Sequence, residues 1–203
     1  PASRQVPIHL KGSRNTMADL SVTMAGVTFR NPIIPASGAF GFGQEYQCLY
    51  PLSRLGGISL KGTTLHARQG NPPPRIAETP AGMLNSVGLQ NPGVDQLIAQ
   101  ELPKLKEQGT VIIANIAGAT VEEYAEAVRR LEETPVHMIE LNISCPNVKQ
   151  GGAAFGVNPE TAAEVTRAVR RVTTKPLMIK LSPNVTDITL IAKAVEAEGA
   201  DAI

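Results

Sequence analysis

Leu141-Asn142-Ile143-Ser144-Cys145-Pro146-Asn147 follows directly on the apolar run His137-Met138-Ile139-Glu140. A buried strand is expected to end near Asn142. The chain then puts two amides, a hydroxyl and a thiol into a turn fixed by Pro146. A hydrophobic core has no use for that set of groups. A site that holds a polar heterocycle and moves a proton uses all of it.

Four other apolar segments behave alike. Ile33-Ile34-Pro35-Ala36 runs into Ser37-Gly38, and Gly57-Ile58-Ser59-Leu60 into Lys61-Gly62. Val111-Ile112-Ile113-Ala114 runs into Asn115, and Leu177-Met178-Ile179 into Lys180. Each delivers a polar or charged group at its downstream end. In parallel α/β folds function sits at that end, and in an eight-unit barrel that face carries the active site.

Between these segments the pattern is helical. Thr120-Val121-Glu122-Glu123 reads as a capping box, with Tyr124, Val128 and Leu131 on one face. Asn158-Pro159-Glu160 opens the next helix, with Val165, Val169 and Val172 inward and Arg170 and Arg171 in its last turns. Asp187 opens another, with Ile188, Ile191 and Val195 facing in and Gly199 as its stop. Upstream, residues 20–24 and 27–29 flank Ala25-Gly26 with period-two alternation, the pattern of a hairpin suited to plugging the bottom of a barrel. Residues 62–93, rich in proline, and residues 146–156, with three glycines, read as long irregular loops, the second as a lid.

The fold class that follows is α/β, a TIM (β/α)8 barrel with an N-terminal β-hairpin. Such barrels typically need about 250 residues, so the 203 present correspond to a barrel truncated after about five β/α units. A doubly wound sheet suits the length better, but no GxGxxG pattern follows the first strand. Residues 1–16 are polar, lack an apolar signal core and read as an upstream or appended segment, leaving 17–203 as the partial barrel.

Composition narrows the function. The net charge is +1 and no basic stripe alternates with aromatics, which argues against nucleic acid. Cys48 and Cys145 are the only cysteines and have no CxxC spacing, so a disulfide framework or structural zinc is unsupported and a reducing compartment fits. No run approaches the ~20 apolar residues of a membrane span. His9, His66 and His137 show no metal-ligand spacing.

Individual residues leave alternatives open. Cys145 reads either as a small buried hydrophobe or as a base whose thiolate is modestly stabilised. Cys48, among apolar neighbours, is expected to pack. Lys61 and Lys180 are either rim lysines or partners of an anionic ligand. Asn85 and Asn147 suit turns, whereas Asn115 and Asn142 end strands and offer paired donors and acceptors. Lys61-Gly62-Thr63-Thr64 is faintly similar to a P-loop without its glycines.

Taken together, the motifs resemble class 1 dihydroorotate dehydrogenase. The resemblance is carried by residues 141–147, by Asn85-Ser86-Val87-Gly88-Leu89, by Ala36-Ser37-Gly38 and by Lys61-Gly62. It covers about Met17 to Ile203. Gly70-Asn71-Pro72-Pro73-Pro74-Arg75 and Glu78-Thr79-Pro80-Ala81-Gly82-Met83 are most similar to the 1B branch. Class 2 enzymes use a serine base, so Cys145 favours class 1.

The resemblance implies an FMN-binding flavoprotein oxidoreductase of the cytoplasm that oxidises dihydroorotate to orotate in pyrimidine (UMP) biosynthesis. It implies Cys145 as the base that takes the C5 proton, the C6 hydride passing to flavin. It implies Ser37, Lys61, Gly62, Asn115, Asn142 and Lys180 as FMN contacts. Lys61, Asn85, Ser86, Val87, Gly88, Leu89, Asn142 and Asn147 are implied as substrate contacts. The 1B branch pairs with an iron-sulfur electron-transfer flavoprotein subunit carrying FAD and a 2Fe-2S cluster, which passes electrons to NAD, in a heterotetramer built on a homodimer. Two other readings are a Schiff-base lyase barrel using Lys180 and a non-catalytic fragment. Flavin colour separates the first reading from both.

Overall fold

The computed structural model describes residues 18–144 and 153–203. Strand β1 (Val22–Met24) and strand β2 (Val27–Phe29) form an antiparallel hairpin with Met24 opposite Val27. Ala25 and Gly26 both take positive φ, the geometry a two-residue hairpin turn needs. A one-turn helix α1 (Ser37–Phe40) follows. Strand β3 (Gly57–Ser59) begins the main sheet.

The segment expected to be irregular contains a second hairpin, β4 (Ile76–Thr79) with β5 (Gly82–Asn85). Its strands are exposed along their length, so they lack the buried face that makes a strand legible in sequence. Helix α2 (Val94–Gln96) passes through a π-helical turn, Leu97–Glu101, into α3 (Leu102–Lys106). Then come β6 (Val111–Ile116), α4 (Val121–Leu131), β7 (Met138–Asn142), α5 (Ala153–Gly156), α6 (Pro159–Arg170), β8 (Leu177–Lys180) and α7 (Ile188–Ala197).

The main sheet is parallel in the order β3-β6-β7-β8. The first apolar segment, Ile33 to Ala36, makes no ladder. Ile33 meets the β3 edge only through its carbonyl, which accepts from the amides of Gly56 and Gly57. Pro32 and Pro35 lack amide hydrogens, which limits ladder pairing there. At the other edge Met178 bridges Ala202, and the amide of Ile179 donates to the Ala202 carbonyl.

The helix starts follow the sequence. The Thr120 side chain accepts from the Glu123 amide, and the Glu123 carboxylate accepts from the Ala119 amide. Asn158 caps α6 through the Thr161 amide, and Asp187 caps α7 through the Thr189 amide. Tyr124, Val128, Leu131, Val165, Val169, Ile191 and Val195 are buried against the outer face of the sheet, on Ile58, Ile112, Ile139 and Leu177. Ile188, expected to face in, is 45% exposed because it begins α7 at the open edge.

The inner face is built differently. Phe29 packs with Val111, Ile113 and Met138 at the upstream ends of the strands, so the first hairpin closes that end. Gly57 makes room for it, since a Cβ there would sit 3.0 Å from the Phe29 ring.

Candidate active site

Along β7 the side chains alternate, so Met138, Glu140 and Asn142 point inward while Ile139 and Leu141 join the outer core. The register sets Asn115 beside Glu140, and Asn142 beside Lys180. The inner face therefore turns from apolar to polar within two residues of each strand.

The polar layer is fully bonded. Glu140 is buried and accepts from Ser59 Oγ at 2.6 Å and from Asn115 Nδ2 at 2.5 Å. Asn142 Nδ2 donates to Asn115 Oδ1 at 3.2 Å. The backbone amide and Oγ of Ser144 both donate to Asn142 Oδ1, at 3.2 and 2.9 Å. Lys180 Nζ donates to Ser144 Oγ at 2.5 Å. Behind β7, the buried Tyr124 hydroxyl donates to the Asn142 carbonyl at 2.8 Å, and the Tyr124 ring meets Phe155 edge to face.

Above this layer lies a cleft of about 620 Å³, within the range of ligand pockets. Ser37 and Gly38 border it on one side, Lys61 and Gly62 at the end of β3, and Asn142, Ser144 and Lys180 across the sheet. Ile76, Met83 and Asn85 of the second hairpin, with Val87 and Leu89, form the far wall. A Cβ on Gly62 would sit 2.9 Å from Asn115 Oδ1 and 3.0 Å from Leu89 Cδ1, so only glycine lets the floor approach this closely. Gly88 and Leu89 both take positive φ. Asn91 holds that bend, donating to the Leu89 carbonyl and accepting from the amides of Thr64 and Gly93. A non-glycine residue in this region is strained and needs such support.

The cleft gathers Ser37, Lys61, Gly62, Asn85, Val87, Leu89, Asn142 and Lys180 of the residues expected from sequence. Asn115 lies beneath the floor, fully buried, and reaches Ser37 Oγ only at 3.4 Å. Ser86 turns away, its Oγ accepting from Asn71, and Gly88 packs on Asn71. Cys145 and Asn147, and the expected lid apart from residues 153–156, lie outside the described residues. Cys48 is exposed rather than packed, its thiol donating to the Glu45 carbonyl one turn back in a surface 3-10 helix.

Sequence reasoning does not single out Glu140, which holds the floor from beneath, or Ser144, which lines the cleft. Glu140 looked like part of an apolar run, yet its spacing of two from Asn142 was a usable signal.

Two lysines converge on the cleft, and among the described residues no carboxylate pairs with either. The surplus positive charge suits an anionic or electron-rich ligand. Among the described residues no cluster of three His, Cys, Asp or Glu is placed to hold a metal, and no helix is long and apolar enough to cross a membrane.

Comparison with known proteins gives this arrangement a context. A family model described as dihydroorotate dehydrogenase matches residues 19–203. The dihydroorotate dehydrogenase B (NAD(+)) catalytic subunit of Anoxybacillus flavithermus is 59% identical over 188 residues, covering 92% of this chain and 60% of that protein. Its counterpart from Geobacillus kaustophilus is 57% identical over the same length and shares. The counterpart from Enterococcus faecalis is 56% identical over 184 residues, 90% of this chain and 59% of that one. The chain thus spans about 60% of the length of these curated relatives. Among solved structures, DHODH from Eimeria tenella in complex with ferulenol superposes with a TM-score of 0.74 at 22% identity, covering 97% of this chain and 60% of that one. That likeness supports a fold of the TIM-barrel type. With a matching family model over nearly all of its described length and relatives above 55% identity, the chain belongs to the dihydroorotate dehydrogenase family, on its 1B branch.

Proposed function

We propose that this chain supplies the FMN- and dihydroorotate-binding floor of an enzyme that oxidises dihydroorotate to orotate in pyrimidine synthesis. The observation that carries this reading is the convergence of Lys61, Asn142 and Lys180 on one cleft walled by Asn85, Val87 and Leu89. The cleft fits a flat ring with polar edges. Gly62 allows close approach from below, Ser37 and Asn142 offer hydrogen bonds, and the lysines offer positive charge at two edges. FMN, when bound, supplies the hydride acceptor.

The chain's own residues have distinct roles. Lys180 places a cation where the reduced ring would gain negative charge. Lys61 and the Asn85 amide orient the substrate's carboxylate and ring amide. Asn147 and the backbone around Ser86 and Gly88 complete that grip. Cys145 is the base that removes the substrate's C5 proton. On this reading electrons leave through a partner subunit with FAD and a 2Fe-2S cluster to NAD, the catalytic subunit is a homodimer within a heterotetramer, and the assembly works in the cytoplasm.

The test uses a protein of the relatives' full length. It should purify yellow, release FMN on denaturation, and lose its flavin colour when dihydroorotate is added without oxygen. A colourless protein that does not change flavin fluorescence on titration with FMN overturns the reading.

A further inference from the structure

We propose that Glu140 is a positioning residue that fixes the direction of the Asn115 amide, so that Asn115 accepts from Asn142 and, together with the Ser144 amide, holds Asn142 with an N–H rather than a carbonyl toward the cleft. The inference rests on the flavin-site reading for its choice of ligand, but not for its geometry.

An ionised carboxylate only accepts hydrogen bonds. Glu140 already accepts from the Ser59 hydroxyl through Oε2. Its Oε1 faces the Asn115 amide, so that amide must turn its NH2 group toward Glu140. Asn115 Oδ1 then faces Asn142, which must turn its own NH2 toward it. Asn142 Oδ1 is left to face Ser144, whose backbone amide can only donate. The Ser144 hydroxyl donates to the same oxygen and therefore accepts from Lys180, which can only donate. Every bond in the chain points from the ammonium toward the carboxylate. With the Glu140 carboxylate absent, Asn115 can turn over, and its NH2 would then meet the NH2 of Asn142.

The consequence lies at the cleft. Asn142 lines it, and one N–H of its amide is used on Asn115. The second N–H is what remains for a ligand, so the ligand must bring an acceptor such as a ring carbonyl oxygen to that point. Glu140, which touches no ligand, holds Asn115 in the one setting that agrees with the Ser144 amide on the other side of Asn142.

The test compares Glu140→Leu, Glu140→Gln and Ser59→Ala with the wild type, in a protein of the relatives' full length. The readouts are FMN affinity, melting temperature and the side-chain amide NMR signals of Asn115 and Asn142. Glu140→Leu should weaken FMN by about 10-fold, the loss expected of one misdirected hydrogen bond from Asn142 to the ligand, and should move both amide signals. Ser59→Ala removes a partner of the same carboxylate but leaves the Asn115 bond. It should lower the melting temperature while keeping FMN affinity within about twofold, because Ser59 bonds the other carboxylate oxygen and touches neither amide. Glu140→Gln can offer Asn115 an acceptor or a donor, so it should double or broaden the amide signals. A purely structural role predicts that FMN affinity falls in step with melting temperature in both Glu140→Leu and Ser59→Ala, and that result overturns the proposal. If Glu140→Leu does not fold, unchanged amide signals in Glu140→Gln overturn it. If the wild type binds no FMN, the flavin reading fails, while the amide signals still decide the role of Glu140.

Discussion

At their upstream ends the inner faces of β6 and β7 meet Phe29 through Val111, Ile113 and Met138; two residues further on, the same strands carry Asn115, Glu140 and Asn142. The two ends share one backbone ladder and one register. What differs is the source of cohesion. The lower end is held by apolar burial, which is non-directional and worth about 1.5–3 kcal/mol for a fully buried large side chain. The upper end is held by hydrogen bonds that point in one direction and fix each amide. Cohesion without direction suits a plug. A floor that must present chosen atoms to a ligand needs direction.

The largest effect is expected just beyond the polar end, at Cys145. In a full-length protein Cys145→Ala should slow flavin reduction by dihydroorotate roughly 100- to 10,000-fold, the usual contribution of a positioned base. FMN should stay bound, as absorbance after gel filtration would report. Cys145→Ser should be slow near neutral pH and regain rate as pH rises, because a hydroxyl is the weaker acid. Reduction of Cys145→Ala at wild-type speed would remove the thiol from the mechanism.

The division between the two ends can be tested with a pair of substitutions. Ile113→Ala should cost about 2–5 kcal/mol of stability by opening a cavity against Phe29. The protein that remains folded should bind FMN as the wild type does. Asn115→Leu should cost about 1–3 kcal/mol by leaving Glu140 and Asn142 short of a partner, and should also weaken FMN. Chemical denaturation and flavin titration on both variants separate the outcomes. A similar loss of FMN affinity in Ile113→Ala would break the comparison.

The smallest effect concerns pH and the lower end. Desolvation of the His137 ring, and then the Lys175 ammonium, lower its pKa below the ordinary imidazole value. The ring's outer edge meets solvent, but Nδ1 accepts from the Ile112 amide, which requires it to be unprotonated. A lowered folded pKa means that the unfolded chain takes up the proton first. This contribution to stability is complete above the unfolded value of about 6.5 and is lost as pH falls through the folded value. Urea midpoints measured from pH about 7.5 down to about 5.5 should fall more in the wild type than in His137→Gln. FMN affinity should show no matching difference between the two proteins, because His137 lies at the opposite end of the strand from the cleft.

Much of this was legible in residue order because it is local. Thr120, Asn158 and Asp187 announce their helices, since a cap needs only its own side chain and an amide two or three residues on. The strand ends that deliver Lys61, Asn142 and Lys180 were legible because one apolar run followed by one polar group is a one-dimensional signal. Cys48 is misread because an apolar neighbourhood in sequence does not say which side of a short helix meets solvent, and Ile188 because sequence does not show that its helix begins at an open edge. The β4–β5 hairpin was invisible because its exposed strands carry no burial pattern.

Residue order alone establishes a β/α chain with polar strand ends whose motifs are those of the dihydroorotate dehydrogenase family. It took the folded sheet to bring Glu140 together with Asn115 and Ser59, which lie 25 and 81 residues away along the chain. The sheet also decided that Asn115 supports the floor instead of lining the cleft. Register accounts for both. Period-two alternation tells which residues of a strand share a face, but which residues of different strands stand side by side is set by the ladder. A hydrogen-bonded layer exists only once that ladder has formed.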